Sequence, residues 1–182
     1  MKRVTLFACV AACFLATVAI ADDASDIKKL YAQLSSGFKS KNVDAVLATG
    51  TADYKSKGMD GKVKSREEVK QELQMMFTVL TSVDKVAITP TKITVNGKNA
   101  TVATTYVFEG KSKDEKDPKK IHTLKMTGEG KDTLVKTSAG WRFSMSHDTK
   151  QEIWMDGKKM DMSPPPPAAN KPKTPAKPNS KK

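Results

Sequence analysis

Hydrophobic residues change their period twice along this chain, and the changes mark its elements. Ile27, Leu30, Tyr31, Leu34 and Phe38 fall 3, 1, 3 and 4 apart, which gathers them on one helical face. Ser25 or Asp26 is the expected N-cap. Val43, Val46 and Leu47 form a second, shorter face behind Asn42, and Thr49-Gly50-Thr51 ends it. A short extended piece, residues 52–58, leads to an Asp60-Gly61 turn. Ser65-Arg66-Glu67-Glu68 is a capping box, and Val69, Leu73, Met76, Phe77 and Leu80 continue from it at helical spacing.

From Lys85 the period becomes two. Val86 and Ile88 alternate, Pro90 interrupts, and Ile93 and Val95 alternate again before the hairpin turn Asn96-Gly97-Lys98-Asn99. The return strand, residues 100–108, sets Val102, Thr104, Tyr106 and Phe108 on one face. Residues 110–120 are rich in charges of both signs, include Pro118 and have no period, which predicts a solvated loop. Strand character resumes over 121–135, where Gly128 and Gly130 predict a bulge or a sharp coil. Leu134 to Trp154 then reads as a hairpin over Ser138-Ala139-Gly140, with Gly140 supplying the positive φ. In an unbroken strand Trp141, Phe143, Met145 and His147 share one face, while Asp148 points the other way. Asp156-Gly157-Lys158 closes the folded part.

Helices first and strands after predict an α+β fold, an antiparallel sheet with about three N-terminal helices gathered on one side. The motifs sharpen this. Asn42-Val43-Asp44-Ala45-Val46-Leu47, Gly61 followed by Ser65-Arg66-Glu67-Glu68, Val95-Asn96-Gly97-Lys98-Asn99-Ala100-Thr101-Val102, and Gly140-Trp141-Arg142-Phe143 with His147 and Thr149 beyond resemble the nuclear transport factor 2-like superfamily. That superfamily includes cystatin-like cones, ketosteroid isomerases and polyketide cyclase-like, SnoaL-like proteins. The resemblance covers about residues 26–158 and implies a strongly curved sheet wrapped into a cone with an internal cavity. It implies no single function, because the same cone serves enzymes, ligand carriers, dimerisation modules and protein binders.

The chain ends carry different signals. Lys2 and Arg3 precede an uncharged apolar run from Val4 to Ile20, and Ala19-Ile20-Ala21 supplies small residues for cleavage before Asp22, so 1–21 reads as a secretory signal peptide. A lipobox reading at Cys13 is disfavoured, because only about six apolar residues separate it from Arg3. Export predicts a periplasmic or extracellular protein with no transmembrane segment once the signal is removed. Cys9 and Cys13 are the only cysteines and both lie in that segment, so no disulfide supports the domain at 22–162. Residues 163–182 are rich in Pro, Lys and Ala with no acidic residue, the composition of a disordered tail. Net charge is +12 for the whole chain. Losing the signal takes it to about +10, and the tail lysines hold about half of that, so the cone is only mildly basic. Nucleic-acid binding is not indicated.

Tyr54, Tyr106, His122 and His147 are the candidate pocket residues: two phenols and two imidazoles that can bind a ligand or move protons. The more common role of such strand histidines is structural. Two histidines 25 residues apart without cysteines lack metal-ligand spacing, so no metal is expected, and no cofactor is implied. Family isomerases use paired acids and a tyrosine, but Asp132 sits by a glycine bulge and Asp148 is out of phase with His147, so no catalytic set is assigned. Trp141, Trp154 and the Met75-Met76-Phe77 run read as core rather than as ligand platforms. The resulting expectation is an exported cone that binds a small apolar or amphipathic molecule or a protein, with a sheet face able to form a homodimer. An isomerase, cyclase or dehydratase using a pocket His or Tyr is the alternative. Mass spectrometry of the exported chain should give a protein beginning at Asp22; a retained residues 1–21 segment contradicts the signal reading.

Overall fold

The computed structural model describes residues 7–114 and 116–161, with side chains from residue 22 onward. The proposed tail and the side chains of the proposed signal lie outside the described residues. Among the described residues, three helices, α1 (Phe7–Lys39), α2 (Val43–Leu47) and α3 (Arg66–Val79), pack on a seven-stranded sheet. Its strands are β1 (Gly50–Lys57), β2 (Val63–Ser65), β3 (Leu80–Asn96), β4 (Asn99–Lys113), β5 (Ile121–Thr137), β6 (Gly140–Met155) and β7 (Lys158–Lys159). They order as β2-β1-β6-β5-β4-β3, with β7 on β6. All pairings are antiparallel except β1 with β6, which is parallel. The sheet is curved and does not close.

Most of the expected caps and turns are present. Asn42 Oδ1 accepts from the Ala45 N–H at 3.0 Å. Ser65 and Glu68 form the full capping box at the start of α3. Arg66, next in that motif, donates to the Leu47 carbonyl at 2.6 Å and the Thr51 carbonyl at 3.3 Å, tying α3 to the end of α2 and the start of β1. Gly140 has φ +92° after the Ser138-Ala139 turn.

Four expectations are corrected. Helix α1 does not begin at Ser25 or Asp26 but runs through them, because an alanine-rich stretch with no breaker continues the helix. Asp26 instead pairs with Lys29. Leu80 belongs to β3, not to α3. Pro90 does not interrupt β3, which lies at the sheet's edge where a missing N–H is tolerated; Thr91 bulges out and its hydroxyl bonds the Ala103 carbonyl. Residues 110–113 are strand rather than loop. Gly110 pairs with both Val83 and Leu124, so close that an added Cβ would stand 2.5 Å from the Ser82 carbonyl oxygen.

Two apolar clusters form the core. Ile27, Leu30 and Tyr31 of α1 meet Ala100, Val102, Leu134, Trp141 and Phe143. Val46, Leu47, Leu73 and Phe77 meet Leu80 and Phe108. Leu34 touches both clusters. At the outer end of the first cluster, buried Asp23 accepts from the Trp141 indole at 3.0 Å and the Lys136 ammonium at 2.5 Å, fixing α1 to the β5–β6 hairpin. Among the described residues, no helix is long and apolar enough to cross a membrane.

Candidate functional site

The alternation of β6 is broken twice. Leu134 pairs with Phe143, but Thr133 pairs with Met145, so Ser144 is an extra residue; Gly130 pairs with Asp148 and Glu129 with Lys150, so Thr149 is another. Each bulged residue turns its hydroxyl to the strand opposite, Ser144 to the Thr133 carbonyl and Thr149 to the Glu129 carbonyl, both at 3.1 Å. An extra residue shifts the side-chain phase by one. Between the two slips the inward positions are therefore Ser146 and Asp148, in line with Asp132 and Gly130 of β5.

These residues line a cavity of about 270 Å³ between the two apolar clusters. Its walls are mainly apolar, from Leu34 and Phe38 of α1, Val69, Leu73 and Met76 of α3, and Ile88, Phe108 and Phe143 of the sheet. Into this setting project Tyr54, Ser56, Thr104, Tyr106, Asp132, Ser146, Asp148 and Gln151. Gly128 makes room for one of them: a Cβ there would lie 2.4 Å from the Tyr106 ring and hydroxyl. The Tyr106 oxygen accepts from Gln151 Nε2 at 3.1 Å, which leaves its own proton available to the cavity.

Burial governs the electrostatics. Asp132 is 7% exposed and desolvation pushes its carboxyl up to about 6, against the opposing pull of hydroxyls from Tyr31 and Ser146. The Tyr31 phenol donates to Asp132 Oδ2 at 2.6 Å. Tyr31 is held edge-on to Phe143 with ring centres 5.0 Å apart, so the donor is fixed from beneath the cavity. Asp148 is also raised, by desolvation first, with His147 and Lys64 pulling the other way. Burial pushes Tyr106 up to about 12 and raises Tyr54, so both stay protonated donors at neutral pH. The arrangement offers a carboxyl raised towards neutral pH, a second carboxyl and two phenols inside an apolar chamber.

Residues 19–147 match the SnoaL-like domain family. The chain belongs to that family. This places it in the nuclear transport factor 2-like superfamily. Similar solved structures agree on the fold. A protein provisionally assigned as a scytalone dehydratase, from Novosphingobium aromaticivorans, superposes with a TM-score of 0.66 at 15% identity, covering 76% of this chain and 90% of its own. A ketosteroid isomerase-like protein from Erwinia carotovora atroseptica gives 0.53 at 16%, covering 69% and 94%. An NTF2-like protein with a cystatin-like fold, also from Novosphingobium aromaticivorans, gives 0.55 at 17%, covering 74% and 86%. At such identities the likeness shows the fold alone. No curated protein matches the chain in sequence.

Within this SnoaL-like cone, Tyr54 and Tyr106 line the cavity, and His122 and His147 do not. The bulge at Ser144 turns His147 to the outer face, paired with Lys57 and Lys131. His122 is buried at the far end of β5, its Nδ1 2.6 Å from Asp156 and its Nε2 2.9 Å from Asp114. There it clamps the loop after β4 and the turn after β6 to the sheet. Both carboxylates raise the imidazole, and Asp114 falls to about 2. Trp154 also faces outward, with Lys125 and Lys159 about 6 Å from its ring centre. Sequence reasoning passed over Asp132, Asp148, Ser146, Gln151 and Tyr31; its apolar helical register did place Tyr31 in the core, facing β5. Because Tyr31 stabilises the ionised form of Asp132, Tyr31→Phe should move the Asp132 carboxyl titration above its starting value near 6 in a 13C NMR titration. An unchanged or lower midpoint contradicts the arrangement.

Proposed function

We propose that this protein binds a small, largely apolar molecule in the cone and transfers a proton on it, as an isomerase or dehydratase does. The observation that carries the reading is buried Asp132, gripped by Tyr31 and facing an apolar cavity beside Tyr54 and Tyr106. A general base works best when its proton affinity lies near the working pH, and burial brings Asp132 to about 6. The Tyr106 phenol, oriented by Gln151, can donate to a carbonyl or hydroxyl oxygen as charge develops there. The apolar walls strengthen both effects by excluding water. Similarity to the provisionally assigned scytalone dehydratase and the ketosteroid isomerase-like protein supports the reading at the level of shared fold.

The place of action in this proposal is outside the cytoplasm. Support comes from the Lys2-Arg3 start, the apolar run and Ala19-Ile20-Ala21. Asp23, the second residue after the expected cut, makes the contacts to Trp141 and Lys136, so removing residues 1–21 leaves that anchor in place.

Proton transfer can be tested without the natural substrate. In D2O the protein should accelerate exchange of the α-hydrogens of 2-tetralone, read by proton NMR. The rate should rise with pH through about 6 as Asp132 ionises, and Asp132→Asn should lower it by about 10² to 10⁴ fold. Exchange no faster than in buffer, with the ketone bound, makes the cone a carrier rather than an enzyme. Exchange that survives Asp132→Asn removes the carboxyl from its role.

A further inference from the structure

The two cavity carboxylates are not equivalent. Asp132 receives the Tyr31 phenol at 2.6 Å, whereas Asp148, among the described residues, makes no hydrogen bond. Asp148 lines the cavity itself. No lysine, arginine or histidine lines that cavity among the described residues. The basic groups nearest Asp148 lie outside the cavity: His147 on the outer face of β6, and Lys64, which is held by Glu72 at 2.5 Å. A carboxylate facing apolar walls is costly unless a donor and a countercharge reach it.

Three kinds of polar ligand end can be compared. A carboxylate or phosphate would add a third negative group to the chamber. A hydroxyl would satisfy one hydrogen bond and leave the charge. An ammonium satisfies both, with three N–H donors. Tyr54, Tyr106 and Phe108 line the same cavity, and aromatic rings attract a cation. We infer that the cavity takes a hydrophobic amine, its ammonium seated on Asp148 and its apolar body against α1 and α3. This rests on the cavity being a small-molecule site, and it divides the work: Asp148 anchors, and Asp132 moves the proton.

Calorimetric titration of the full chain with 2-phenylethylamine, 2-phenylethanol and phenylacetate separates the two claims. The amine should bind about tenfold or more tightly than the alcohol, about one favourable ion pair's worth, with phenylacetate weakest. Asp148→Asn should erase the preference while leaving alcohol binding, and Asp148→Glu should restore it. Circular dichroism checks that the variants fold, and Asp148 has no protein hydrogen bond to lose. Alcohol bound as tightly as amine, or a preference that survives Asp148→Asn, overturns the amine assignment and leaves the small-molecule reading standing. No binding by any of the three probes overturns both.

Discussion

Two one-residue slips in the pairing of β5 with β6 determine what this cone can do. Without them Met145 and His147 would face the interior, and the cavity would hold no acid from β6. With them Ser146 and Asp148 turn inward in line with Asp132. Each slip is secured by a Ser or Thr hydroxyl that reaches a carbonyl of the facing strand, Ser144 at one and Thr149 at the other. The same device recurs at two of the three slips of β3 against β4, with Thr81 on the Lys111 carbonyl and Thr91 on the Ala103 carbonyl. A bulge leaves a ladder carbonyl without its backbone N–H, and at these four positions a short hydroxyl on the extra residue replaces it.

This explains how much was legible. The helix faces, the capping box and the hairpin turns depend on neighbours within a few residues, and they could be read from Ile27–Phe38, Ser65–Glu68 and Asn96–Asn99. The bulges were hidden because there are two of them. The first moves the inward positions of β6 from odd to even numbers and the second moves them back, so Trp141 and Phe143 before the slips and Ile153 after them keep one phase. An alternation read across the whole strand looks unbroken, while its middle is inverted. Only the hydroxyls at Ser144 and Thr149 hint at it, and such residues are common in strands. The same inversion carries His147 away from the cavity, while Tyr54 and Tyr106, on other strands, line it. His122 lies in phase but too far along β5, where Asp114 and Asp156 enclose it.

The fold then imposes an electrostatic task. Apolar residues from three helices and a curved sheet enclose two carboxyls whose charged forms burial disfavours. Tyr31 offsets part of that cost for Asp132 from below, and Gly128 gives Tyr106 its place above the sheet. A purely structural interior would gain stability from apolar residues at these positions. The cone instead keeps a polar cluster where a ligand can reach it, which is the pattern expected of a site rather than of a core.

The inverted segment of β6 is the claim on which the rest stands, and cysteine accessibility tests it directly. In a chain with Cys9 and Cys13 replaced by alanine, single cysteines can be placed at Ser146 and His147 and exposed to a bulky polyethylene glycol maleimide. The account predicts rapid modification of His147→Cys on the outer face and slow modification of Ser146→Cys inside the cone. The reverse order would show an unslipped strand, with His147 and not Asp148 facing the cavity.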